Sequence, residues 1–303
     1  MTLWQRWLRQ PQSLWLRKAI FQVHLWCGLI IGLYIVALSL TGSLLVYRVE
    51  LERLAHTPRP AFQPGVEPMS TEALTEAAQR AYPDWEVTRV GNRITRRNPA
   101  IEIWVERNGE QLQRLFNPYT GDDLGDALPW KLRALDSVAF LHDELLSEEH
   151  GGTLNAIGSA LVTLLAVTGL FVWWPGIRNW RRSLTIRRGV SWPRLNWDLH
   201  SALGFWGFFL IFMWGATGFY LAWPEPFANY VDSISPPDAI LGQRPGDIVL
   251  RSATQLHFGR FRDYPALQAI WAVLGLLPAA MFVTGVYMWW NRVLRKRTLD
   301  RAA

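Results

Sequence analysis

Four long, almost charge-free apolar blocks constrain what this chain can fold into more than any other feature. They cover residues 21–47, 154–174, 199–223 and 266–290. A hydrocarbon core about 30 Å thick requires roughly 20 mostly apolar residues in a helix, and each block meets that length. The first is too long for a removable signal peptide and lacks its small-residue cleavage site. The fold class that follows is an all-α membrane protein of four transmembrane helices, with soluble-type sequence between them.

Charge orients the spans. The net charge is +6, and Arg6, Arg9, Arg17 and Lys18 precede the first block. Arg178, Arg181, Arg182, Arg187, Arg188 and Arg194 lie between the second and third, and Arg292, Arg295, Lys296, Arg297 and Arg301 follow the fourth. The other two connections mix both signs. By the positive-inside rule, both termini and the middle loop are cytoplasmic. Beside membrane spans these clusters are topology signals that meet anionic lipid, and no nucleic-acid partner is expected. The chain then divides into a basic N-terminus (1–20), spans at 21–47, 151–174, 199–223 and 266–290, and a basic cytoplasmic loop (175–198) and tail (291–303). Outside lie a module (48–130), an interfacial segment (131–150) and a loop (224–265).

An internal repeat organises the spans. His24-x-x-x-Gly28 and Thr41-Gly42 in the first block match His200-x-x-x-Gly204 and Thr217-Gly218 in the third, with the same interval from histidine to the second glycine. Leu141-His142, Thr168-Gly169 and Trp173-Trp174 match Leu256-His257, Thr284-Gly285 and Trp289-Trp290, one residue out of step. The chain therefore reads as two copies of one helical hairpin. Thr-Gly pairs alone are explained by close helix packing; the recurring histidines ask for more.

Depth sorts these residues into two layers. His24 and His200 lie near the cytoplasmic face, level with Gly169 and Gly285, while His142 and His257 lie at the outer face with Gly42 and Gly218. At about 1.5 Å per residue, His24 and Gly42 are roughly 27 Å apart, close to the hydrocarbon thickness. Histidine in a bilayer is costly and marks function by default. Two facing imidazoles can take both axial positions of a haem iron, and glycines leave room for a flat macrocycle. Haem thus accounts for both residue types at once. Simple packing by the histidines and another metal such as copper remain alternatives. A closed zinc site wants four ligands, where each layer offers two histidines. The single cysteine, Cys27, excludes an intramolecular disulfide, a Cys-rich cluster and C-x-x-C-H haem attachment.

Outside the membrane, Ser70 caps a helix to Arg80, and residues 85–94, 100–107 and 111–116 read as strands, the last two joined by an Asn108-Gly109 turn. Residues 117–121 form a further turn, giving a helix-plus-three-strand module without a catalytic constellation. Arg93, Arg96 and Arg97 read as a solvated face. Residues 132–146 read as an amphipathic interfacial helix holding His142. The 224–265 loop, with Pro236-Pro237 and Pro245-Gly246, reads as mostly irregular. His56 is a solvated loop residue; His150, beside Gly151-Gly152, is the rival of His142 as a ligand.

Together, His24-x-x-x-Gly28, the Asn117-Pro-Tyr-Thr-Gly turn, Leu141-His142-x-x-Leu145-Leu146, Thr168-Gly-x-x-x-Trp-Trp and Leu199-His200-x-x-x-Gly204 resemble the PepSY-associated transmembrane helix family over nearly the whole chain. The resemblance implies that the external module is a PepSY domain. It implies a bacterial inner-membrane protein similar to ferric-siderophore reductases, with two b-type haems ligated by His24, His142, His200 and His257, carrying electrons from the cytoplasm to the periplasm. Depth pairs His24 with His200 and His142 with His257. The expected partner is a ferric siderophore or other ferric chelate. No G-x-G-x-x-G follows a strand, so the donor is expected to be a flavin, a quinol or another protein. The rival readings are a membrane-anchored binding module without redox activity and a transporter. Transport predicts broken helices or mid-membrane acidic residues, and the sequence shows neither.

Overall fold

The computed structural model describes residues 2–91, 99–234, 244–261 and 263–294, and the chain divides into two units, Arg48–Ser137 and the remainder. In the larger unit the apolar blocks are helical. Short α1 (Leu3–Arg9) precedes α2 (Trp15–Ile30) and α3 (Gly32–Leu45). The smaller unit begins with α4 (Arg48–Ala55) and α5 (Thr71–Ala81). After its sheet come α6 (Trp130–Glu144), α7 (Gly151–Trp173), α8 (Trp180–Ser183), α9 (Trp192–Ala222), α10 (Glu225–Ile234), α11 (Pro245–Phe258), α12 (Pro265–Leu274) and α13 (Leu277–Trp289). Among the described residues three helices are long and apolar enough to cross a membrane: Gly151–Trp173, Trp192–Ala222 and Pro265–Val293. A fourth is present if the bent pair α2 and α3 is one span.

The first block is therefore not one straight helix, and the reading that no span is broken is corrected. Between Ile30 and Gly32 the axis bends by 62°. A Cβ at Gly32 would overlap the Phe282 ring, so the bend and the missing side chain together admit that ring. The fourth span also breaks, between α12 and α13, near Pro278. There Ser39 Oγ is inserted into the helix ladder: it donates to the Gly275 carbonyl at 2.6 Å and accepts from Ala279 N at 3.3 Å. A borrowed hydroxyl satisfies two backbone groups that hydrocarbon would leave orphaned.

The spans surround one another in chain order: α2 packs on α7, α7 along α9, α9 on α13, and α13 on α3. Small residues permit the closest approach. A Cβ at Gly215 of α9 would lie 2.9 Å from Thr163 N of α7, and one at Gly158 of α7 would overlap the Tyr34 ring. α9 starts well before its apolar block because Pro193 sits in its first turn, where a missing N–H costs nothing.

Where an irregular 224–265 loop is expected from its prolines, the structure has two helices. Pro245 opens α11 instead of breaking it, and Gly259 (φ 60°) ends it in the left-handed conformation. Residues 236 and 237 lie outside the described residues. α6 stops at Glu144, short of residue 146, because Leu145 and Leu146 both take positive φ, 47° and 62°, an unfavourable region for branched residues. That reversal brings the chain back so tightly that a Cβ at Gly151 would overlap the Glu144 backbone.

In the smaller unit, β1 (Glu86–Val90), β2 (Ile101–Arg107), β3 (Glu110–Phe116) and β4 (Asp123–Asp126) form an antiparallel sheet in that order. Ile101, Ile103 and Val105 alternate onto one face and meet Leu74 and Ala78 of α5 and Phe116. Asn108 and Gly109, both at positive φ, make the β2–β3 turn. β4 is the strand that the three-strand reading lacks. It is short and charged, so it shows no alternation; Arg114 of β3 holds it, with ion pairs to Asp123 and Asp126. Arg93, Arg96 and Arg97 lie outside the described residues.

Candidate functional site

The four repeat histidines reach their places from two kinds of position. His24 stands in α2 and His200 in α9, inside spans; His142 and His257 stand in the last turns of α6 and α11. His142 and His257 are each followed by a left-handed turn, at Leu145-Leu146 or Gly259, which returns the chain to a span.

All four rings then make the same contact. His24 Nδ1 lies 3.1 Å from Thr168 Oγ1, His142 Nδ1 2.8 Å from Thr41 Oγ1, His200 Nδ1 2.8 Å from Thr284 Oγ1, and His257 Nδ1 2.8 Å from Thr217 Oγ1. Each threonine belongs to a Thr-Gly pair, and the adjacent glycine faces the same ring. A Cβ at Gly42 would stand 2.9 Å from His142 Cε1, at Gly169 3.1 Å from His24 Cε1, at Gly285 3.3 Å from His200 Cε1, and at Gly218 3.5 Å from His257 Cε1. Threonine thus anchors the imidazole and glycine gives it a seat. At Gly42, Gly169 and Gly285 the first group admitted is the histidine, and at Gly218 it is the Ser159 hydroxyl with the His257 ring next.

His142 and His257 are neighbours, with ring centroids 6.4 Å apart and planes at 61°. His24 and His200 lie within reach of each other's charge. Burial lowers the pKa of both His142 and His257; His257 is pushed down to about 4, by desolvation first and then by the charge of His142.

Sequence reasoning missed the residue that orients His142. Asn155 of α7 is buried, and its Nδ2 donates to the carbonyls of His142 and Asp143 at 2.9 and 3.0 Å, satisfying groups orphaned at the end of α6. Tyr34 donates to Asn155 Oδ1 at 2.7 Å and so fixes the amide. An amide side chain in an apolar span was the available signal.

The remaining candidates lie elsewhere. His150 caps the start of α7 with its ring 69 % exposed and Nε2 3.5 Å from Glu149. His56 is exposed at the end of α4. The indole N–H of Trp173 donates to the Ser183 carbonyl and that of Trp174 to the Trp7 carbonyl, so these two tryptophans serve as anchors at the end of α7. Among the described residues no three His, Cys, Asp or Glu side chains gather as a metal cluster.

With this geometry comes a match to a family defined by its membrane region. The family model described as PepSY-associated TM region aligns with residues 21–292, which include all four histidines and all four Thr-Gly pairs. The chain belongs to the PepSY-associated TM region family. No curated protein matches it. In this PepSY-associated membrane protein, the two-unit division places the sheet-bearing segment between α3 and the end of α6 along the chain.

Proposed function

We propose that the protein is a di-haem b electron carrier of the bacterial inner membrane. It passes electrons from the cytoplasmic side to the periplasm and there reduces ferric iron held in a siderophore or other chelate. In this reading four spans form two repeated hairpins with both termini cytoplasmic, and the smaller unit is a periplasmic PepSY-like domain. His24 and His200 hold the inner haem, and His142 and His257 the outer one.

The observation that carries the reading is the fourfold histidine–threonine–glycine contact, with the outer rings 6.4 Å apart. Two nitrogen bonds of about 2 Å to one metal, plus half a ring beyond each, put imidazole centroids roughly 6 Å apart. The pair therefore fits a metal held between two imidazoles. Haem, when bound, supplies an iron that accepts and releases one electron at a time. The protein's part is to hold the ligands rigidly and exclude water. A ferric chelate that takes up one electron becomes ferrous, and hard oxygen donors hold that ion far less tightly. The exposed ring of His150 and its contact with Glu149 favour His142 as the outer ligand. The donor is a flavin, a quinol or another protein.

Although two spans are broken, the breaks do not favour transport. One is filled by Phe282 and the other by Ser39, and the four apolar blocks contain no Asp or Glu.

The test is an absorption spectrum of the purified protein, oxidised and then reduced with dithionite, with haem quantified per chain. Two low-spin b-type haems are expected, followed by reoxidation on adding a ferric chelate. Absence of haem from protein made with ample haem supply overturns the proposal.

A further inference from the structure

We propose that Thr41, Thr168, Thr217 and Thr284 are positioning residues that lock each facing histidine in the tautomer with Nδ1 protonated and Nε2 bare. The inference rests on the haem reading above and adds what selects the ligating atom and tunes the bound iron.

The argument turns on the single proton of a hydroxyl. Each threonine already donates it to the carbonyl four residues back. Thr41 donates to Ala37 at 2.7 Å, Thr168 to Leu164 at 2.7 Å, Thr217 to Met213 at 2.6 Å and Thr284 to Ala280 at 2.8 Å. A carbonyl oxygen can only accept, so the proton lies on that side. Toward the imidazole the hydroxyl therefore offers a lone pair, and at 2.8–3.1 Å Nδ1 must be the donor. A neutral imidazole carries one N–H, which leaves Nε2 with its lone pair free for a metal. The opposite tautomer would set two lone pairs against each other or force the threonine to release a backbone carbonyl inside the membrane.

The same bond has an electronic effect. An imidazole that donates from Nδ1 is the more basic ligand at Nε2, which favours ferric over ferrous iron and lowers the reduction potential. The threonines act by layer: Thr168 and Thr284 on the inner pair, Thr41 and Thr217 on the outer.

The test compares Thr284→Val, which keeps the shape and removes the acceptor, with Thr284→Ser, which restores it, in the haem-loaded full-length protein. Haem content, optical redox titration and the electron paramagnetic resonance of the ferric protein are read for each. The expected result is that Thr284→Val retains two haems and raises one midpoint potential, with an altered low-spin signal for that haem alone, and that Thr284→Ser returns both. Thr168→Val should move the same midpoint, and Thr41→Val the other. Unchanged potentials and signals in Thr284→Val at full haem content overturn the inference, as do equal disturbances in the valine and serine variants, which mark a packing role. Wild-type protein without haem overturns instead the functional reading beneath it.

Discussion

Alanine placed at each of the four histidine-facing glycines should weaken haem binding in an order that the structure fixes in advance. Ordinary carbon contacts begin near 3.4 Å, and the added Cβ would stand 2.9 Å from His142 at Gly42, 3.1 Å from His24 at Gly169, 3.3 Å from His200 at Gly285 and 3.5 Å from His257 at Gly218. The ring must retreat by about 0.5, 0.3 and 0.1 Å in the first three cases and not at all in the fourth. At Gly218 the nearer atom is the Ser159 hydroxyl, 2.9 Å away, which can rotate. Overpacking a tight site costs about 1–3 kcal/mol, so Gly42→Ala at the upper end should release its haem on the order of 100-fold more readily. Gly285→Ala and Gly218→Ala should lie within a few-fold of wild type. Haem transfer to excess apomyoglobin measures the release rates, and thermal unfolding of the haem-free protein checks that each variant folds. Equal losses at all four positions, or a greater loss at Gly218 than at Gly42, would refute the idea that these glycines seat the imidazoles.

Three other substitutions test separate parts of the site. His200→Ala should abolish one haem and leave the other largely intact, whereas His150→Ala should leave both; pyridine haemochrome assays of the two variants distinguish them, and loss of haem in His150→Ala would reverse the ligand assignment. Asn155→Leu should orphan the His142 and Asp143 carbonyls and lower thermal stability by about 1–3 kcal/mol, with the outer haem lost before the inner; stability unchanged from wild type would remove Asn155 from its orienting role. Ser39→Ala should leave the Gly275 carbonyl and Ala279 N–H unpartnered, again at about 1–3 kcal/mol, read as a lower unfolding temperature and faster hydrogen exchange around residue 279; unaltered exchange there would mean that the break closes without the hydroxyl.

The spans were legible because hydrocarbon demands length and apolarity, and few other sequences show both. The four histidines stood out because a repeat placed the same residues at matching spacings twice. What the sequence did not show depends on partners remote along the chain. The bend at Ile31 needs Phe282 to fill the gap at Gly32, and the break before α13 needs Ser39 from the first span. Neither partner is marked by local pattern. β4 was unreadable because its four residues are held by Arg114 and not by alternating burial. α10 and α11 were hidden by prolines whose role as first-turn residues depends on where a helix begins. In each Thr-Gly pair the glycine attracted attention as a packing residue, while the threonine, which can complete its hydrogen bonding within its own helix, gave no sign that it faces a histidine.

That self-sufficiency separates the two accounts of the site. If the histidines only packed helices together, a serine or threonine free to donate to the ring would serve equally well, and the rings could bond through either nitrogen. Instead all four use Nδ1, all four partners have already given their proton to a carbonyl of the preceding turn, and each ring has a glycine beneath Cε1. Two of the rings arrive from within spans and two from the ends of flanking helices that differ in length and capping. Packing alone gives no reason for such different approaches to converge on one tautomer and one seat. The proposed haem, which would place one demand on every Nε2, supplies such a reason.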